Sequence, residues 1–160
     1  MHRRFTLPEK ERQSICRLAT RLLAKRKEVI FAYAFGSFLE EATFRDIDIG
    51  VYLQKETIPR EKALKYELSL GAELEREVHY PVDIKVLNYA PVTLCHSVTG
   101  GKVLFSRDDE VRYEWVEKTW DIYLDMQYFL RNSLRDLLLP HTISTGTQWA
   151  RDQGYRSSLD

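Results

Sequence analysis

The sequence predicts an α/β fold, a small mixed sheet of about four strands with flanking helices and a long C-terminal helix. Three observations carry this. Four short runs, at residues 29–35, 46–53, 82–87 and 102–105, are apolar throughout or alternate apolar with polar side chains, as strands do. Longer segments around them repeat apolar residues at helical spacing. The link from the first run to the second, residues 36–45, is about as short as a parallel crossover can be. That pair is therefore expected to be antiparallel, while the 59–78 segment connects the second and third runs in parallel.

Taken in order, Thr6-Leu7-Pro8-Glu9 has the form of a capping box. Ile15, Leu18, Leu22 and Leu23 then continue a helix to about residue 27. Residues 29–35 are brief, aromatic-rich and stopped by Gly36, which suits a buried strand. Residues 38–43 can begin a helix, and 46–53 open in strict alternation. Pro59 sits in the first turn of the next helix, where its missing N–H costs nothing, and Ala63, Tyr66, Leu70 and Leu74 share one face of it. After the alternating run at 82–87, residues 91–98 form a short helix and Gly100-Gly101 turns into the last strand. A long helix over 108–139 stops at Pro140. Val116, Trp120, Tyr123, Leu124, Leu134 and Leu138 are assigned to its domain face. Tyr113, Trp115, Ile122, Met126, Phe129 and Leu130 then form a second apolar side that meets another subunit, a homo-oligomer or a different protein. Residues 140–160 are polar and patternless and are read as a flexible tail behind a single domain at 1–139.

With 160 residues, 44% apolar and 30% charged, the chain has the composition of one ordinary globular domain. No stretch approaches the roughly 20 apolar residues of a membrane span, and no apolar region follows the first five residues as in a secretory leader. Cys16 and Cys95 have neither CxxC spacing nor a His/Cys cluster nearby, so a reducing cytoplasm without disulfide or zinc is expected. The 24 basic and 24 acidic residues cancel, which argues against a protein that coats nucleic acid. Residues 1–28 nevertheless hold nine Lys/Arg against three Glu. That excess is either a solvated helix face or an attraction for a polyanion such as a nucleoside triphosphate or RNA.

Three features converge on chemistry. A strand ends in Gly36-Ser37 with a helix start behind it, where free N–H groups favour phosphate. Asp46 and Asp48 stand at i and i+2 of an alternating run, so both carboxylates leave one face. Asp83 begins another alternating run, and a neighbouring position would bring it beside the pair. Two carboxylates ~6–7 Å apart repel by roughly 2–3 kcal/mol at an effective dielectric of ~20. Such a cluster persists if it is a wet strand face, shares a proton or holds cations. Gly50 is expected to leave space beside the acids. Lys85 either offsets them or contacts a nucleotide, and Arg45 is either a strand-edge residue or a phosphate contact.

Phe35-Gly36-Ser37, Arg45-Asp46-Ile47-Asp48-Ile49 and Val82-Asp83-Ile84 together resemble the minimal nucleotidyltransferase (MNT) domains of the DNA polymerase β-like superfamily, over roughly residues 5–107. The resemblance implies a polymerase β-like fold and catalysis by Asp46, Asp48 and Asp83. Gly36 and Ser37 would hold the triphosphate, the three aspartates would ligate two Mg²⁺ ions, and Asp83 would also help activate the nucleophile. Small stand-alone proteins of this kind are antitoxins of type VII pairs. The resemblance thus implies transfer of AMP from ATP to a tyrosine of an HEPN-domain ribonuclease toxin. Two other readings stay open: an MNT-fold module that neutralises its partner by occlusion, and a transferase acting on RNA or a small molecule.

Overall fold

One four-stranded sheet organises the computed structural model, which describes residues 3–139; the tail expected at 140–160 lies outside the described residues. Its order is β3–β2–β1–β4, with β1 Val29–Phe35, β2 Ile47–Leu53, β3 Val82–Val86 and β4 Lys102–Ser106. β1 runs antiparallel to both β2 and β4, and β2 runs parallel to β3, so the sheet is mixed as expected. Alternation decides what each face carries. Ile47, Ile49, Val51 and Leu53 of β2 join Val82, Ile84 and Val86 of β3 in the core packed under α1 (Glu9–Ala24) and α3 (Ala63–Val78). The other face is aromatic: Phe31, Tyr33 and Phe35 of β1 cluster with Leu87 and with Val98 of α4 (Val92–Thr99).

The capping box does not form. Pro8 occupies the N-cap of α1 without a side-chain cap bond. The residues ahead of it are drawn away, because Phe5 and Phe44 exchange backbone hydrogen bonds of 2.8 and 3.0 Å. α1 also ends at Ala24, earlier than expected, where Arg107 donates to the carbonyls of Ala24, Arg26 and Val29.

The link between β1 and β2 contains the four-residue helix α2 (Ser37–Glu40). A buried cation holds it. Arg12 of α1 donates to the carbonyls of Leu7 (3.0 Å), Glu41 (2.9 Å) and Ala42 (2.7 Å), and also to Phe38, while its guanidinium lies over the Phe38 and Phe44 rings. Removing it would leave the buried Phe38 carbonyl and three part-buried carbonyls without this partner. Arg12→Ala is expected to lower stability by about 3 kcal/mol. The check is a urea melt, in which the midpoint should fall with the slope unchanged.

The chain divides into two units, Met1–Trp120 and Asp121–Asp160, and α5 (Asp109–Leu138) crosses the boundary. In the first unit, α5 is seated by Val111 and Trp115, with Thr119 buried behind them. This stripe, at i, i+4 and i+8, includes Trp115, which was expected on the second side. Trp120 stays on the domain face as expected, donating to Thr99 Oγ1 (3.2 Å) with its ring against His96, though 41% exposed. In the second unit, Ile122, Leu124, Phe129, Leu130, Leu134 and Leu138 are all exposed. Among the described residues, no helix is long and apolar enough to cross a membrane.

Candidate functional site

The parallel pairing of β2 with β3 sets Asp48 directly beside Asp83, and Asp46 stands one residue before β2. Because Ile47, Ile49, Val82 and Ile84 turn inward under α1 and α3, alternation sends Asp48 and Asp83 to the other face. One carboxylate oxygen from each of Asp46, Asp48 and Asp83 lies within 4.8 Å of the others, and all three side chains are half-buried. The three acids singled out in the sequence are thus brought together.

The cluster is electrostatically unfavourable by itself. Burial first, then the charges of Asp46 and Asp83, push the Asp48 carboxyl up from its ordinary 3.8 to about 7, while Lys85 pulls the other way. Lys85 Nζ lies 3.6 Å from Asp83 Oδ1, so this lysine offsets the acids. One ammonium against three carboxylates leaves an excess of negative charge from hard oxygen donors, a set that fits a divalent cation. Asp46, Asp48 and Asp83 would supply its protein ligands.

The bend after β1 meets the same cluster, because β1 pairs Phe35 with Asp48. Gly36 has φ 80° and ψ −160°, a region essentially closed to residues with a Cβ. A Cβ at this position would collide with Asp48 Oδ2 and lie 3.3 Å from Asp48 Cγ. Glycine therefore serves both the backbone geometry and the close approach of the bend to the acids. α2 starts at the next residue. Ser37 and Asp46 line a cavity of about 650 Å³ whose wall also carries Arg3, Arg4 and Arg45. Arg4 is committed to the loop through Thr43 Oγ1 (2.9 Å) and Glu41 (3.4 Å), whereas Arg45 is exposed.

Gly50 corrects an expectation. A Cβ there would lie 2.8 Å from the Leu87 side chain, so Gly50 makes room for the buried Leu87 and leaves no open space beside the acids. Cys16 and Cys95 are buried free thiols, each raised above the ordinary thiol range by burial. Sequence reasoning placed Arg3, Arg4 and Arg12 only within the basic excess of residues 1–28, without singling them out. Arg12 had a legible signal, since it falls in the buried stripe of α1 with Cys16, Ala19 and Leu23 at i+4, i+7 and i+11. Arg3 and Arg4 were legible only as part of that excess, because the Phe5–Phe44 bridge that carries them to the cavity with Ser37 is a long-range contact.

Comparison with known proteins extends this geometry. No curated protein matches the chain. Among solved structures, a chain of the toxin–antitoxin complex MntA–HepT superposes with a TM-score of 0.58 at 22% identity, covering 82% of this chain and 99% of that one. The complex of the tri-AMPylated Shewanella oneidensis HEPN toxin with its MNT antitoxin gives 0.58 at 23%, covering 81% and 98%. A toxin–antitoxin structure with AMP-PNP gives 0.59 at 23%, covering 82% and 99%. At these identities the likeness is one of fold. The family described as Polymerase beta, Nucleotidyltransferase matches residues 19–110, a span that holds the whole sheet, the glycine–serine bend and all three aspartates. On that match over more than half its length, the chain belongs to the polymerase β nucleotidyltransferase family.

Proposed function

We propose that the chain is a Mg²⁺-dependent protein adenylyltransferase, the antitoxin of a type VII pair, which moves AMP from ATP to a tyrosine of an HEPN-domain ribonuclease toxin. The observation that carries this reading is the convergence of Asp46, Asp48 and Asp83 beside a bend at which Gly36 leaves no room for a Cβ. The solved relatives support donor and acceptor class, since one holds AMP-PNP and another pairs an MNT antitoxin with an AMPylated HEPN toxin.

Each residue then has a task. Ser37 and the backbone at the start of α2 hold the β- and γ-phosphates, and Arg45 draws the polyanion into the cavity it shares with Ser37. Asp46, Asp48 and Asp83 ligate divalent metal, which when bound supplies positive charge to the reacting phosphate. The tyrosine oxygen forms a bond to the α-phosphorus, and the bond from that phosphorus to the bridging oxygen breaks. The electron pair leaves with pyrophosphate, and the hydroxyl proton passes to the Asp83 carboxylate. Arg12 acts at a distance by fixing the carbonyls of Phe38, Glu41 and Ala42, so that the bend stays set against Asp48.

The test is incubation of the full chain with α-labelled ATP, Mg²⁺ and the product of the adjacent gene, which this proposal requires to be an HEPN-domain protein. Label on a toxin tyrosine, lost when EDTA removes the metal, is the expected result. A tight complex without label would reject the enzyme and leave neutralisation by occlusion.

A further inference from the structure

Among the described residues, Asp83 is the one member of the acid cluster with a cationic side chain paired to it. Lys85 Nζ lies 3.6 Å from Asp83 Oδ1, and the two side chains are 42% and 43% exposed. Arg12 is committed to backbone carbonyls and Arg4 to Glu41 and Thr43. Deepening the metal part of the reading above, and resting on it, we infer that Lys85 is the resident counter-cation of the cluster and competes with divalent metal for the Asp83 carboxylate. Lys85 thereby sets the metal concentration at which the site fills.

Strand geometry gives the first reason. Val82, Ile84 and Val86 are turned into the core, so alternation puts Asp83 and Lys85 together on the opposite face, where Asp48 also stands. The ladder sets Asp48 beside Asp83 and Gly50 beside Lys85. The charge of Lys85 is felt at Asp48 as well, where it opposes Asp46 and Asp83. One ammonium therefore acts on two of the three carboxylates, which is the electrostatic task a bound cation would take over.

The looseness of the contact gives the second. At 3.6 Å the pair is longer than the roughly 2.7–3.2 Å of an N–H···O hydrogen bond, so the ammonium is held by charge alone. Lys85 makes no hydrogen bond among the described residues and can leave Asp83 without breaking one. Its place in the sheet allows the movement. β3 is an edge strand, and the neighbour across the ladder, Gly50, has no side chain to pin the lysine stem. Arg12 is the contrast, fixed by four carbonyls. A divalent ion at the acids meets two costs from Lys85: it has to win an oxygen from a carboxylate that is already neutralised, and it is repelled by the ammonium.

The test compares the full chain with Lys85→Met, Lys85→Gln and Lys85→Arg in the absence of nucleotide. The probe is Mn²⁺, which takes the same oxygen ligands as Mg²⁺. Its binding is measured by calorimetry, and thermal melts are run in EDTA and in Mn²⁺. The Met and Gln variants are expected to bind Mn²⁺ about tenfold more tightly than the parent, after allowance for screening by water. Lys85→Arg, which keeps the charge, should bind as the parent does. In EDTA the two neutral variants should melt below the parent, because the carboxylates lose their counter-charge, and Mn²⁺ should raise their melting temperature by more. A merely structural lysine would lower the melting temperature and leave the affinity where it was. Unchanged or weaker binding by the neutral variants therefore overturns the inference, as does Lys85→Arg binding as tightly as they do. The Gln variant carries the test if the Met variant does not fold. Absence of Mn²⁺ binding in every chain overturns the inference together with the metal site. Tighter binding by the neutral variants upholds it even in a chain that never transfers AMP, where the adenylyltransferase reading alone fails.

Discussion

Asp48→Asn is expected to abolish AMP transfer while making the metal-free chain more stable. The two effects have one cause. In the folded chain the Asp48 carboxyl is pushed up to about 7 by burial and by Asp46 and Asp83, against 3.8 ordinarily. The folded chain therefore keeps a proton on Asp48 up to about pH 7, whereas the unfolded chain gives it up near pH 4. Where the folded state binds more protons, stability falls as pH rises. The metal-free parent accordingly loses stability between about pH 4 and pH 7, and Asp48→Asn removes that component. Water reaches the half-buried site and screens the repulsion, so a gain of about 1–2 kcal/mol is expected at pH 8. Function goes the other way, since losing one ligand from a metal that contributes several kcal/mol to the transition state costs on the order of 10³-fold in rate. Thermal melts from pH 4 to 8 in EDTA and in Mg²⁺, beside the labelled-ATP assay, check both signs. Mg²⁺ should stabilise the parent and not the variant. A variant that is less stable without metal, or that still transfers AMP, would contradict the assignment of Asp48.

Gly36→Ala is expected to lose stability and transfer together. The backbone at φ 80° and ψ −160° costs about 1–3 kcal/mol once a Cβ is present. The new methyl would also occupy the place of Asp48 Oδ2, and an acidic side chain held between β1 and β3 has nowhere to go without leaving the cluster. A displacement of even about 1 Å at a reacting centre costs on the order of 10²-fold, so a drop of at least that size in transfer should accompany the lower melting temperature. Gly50→Ala supplies the contrast. Its Cβ meets the end of the Leu87 side chain rather than an acid, so stability should suffer more than chemistry. A Gly36→Ala chain with full activity would show that the bend does not have to approach Asp48.

Much of the site could be read before any coordinates. Each strand of the sheet appears as a run of the right length and period, and the acids stand at positions whose alternation puts them on one face. The misreadings have physical causes as specific as the successes. Thr6 and Glu9 have the right chemistry for a cap, but the Phe5–Phe44 bridge holds the chain before Pro8 elsewhere. The apolar surplus of α5 was visible, but hydropathy does not say which stripe meets the sheet, and Val111, Trp115 and Thr119 take that place. Gly50 looked like open space because the residue that fills it, Leu87, belongs to the segment after another strand.

The amino-acid order alone settled which segments are strands and helices, which residue types carry charge or pack, and that a Gly-Ser bend precedes an Asp-x-Asp pair. These are matters of local periodicity and side-chain chemistry, complete within a few residues. What tertiary structure alone decided is the registry: Asp83 opposite Asp48, Gly36 against the Asp48 carboxylate, and Arg12 under the carbonyls of residues 26 to 30 positions away. Those contacts are selected by how the strands pair and how α1 seats on the sheet, where burying one face as a whole outweighs any single residue's preference. No local pattern records that outcome.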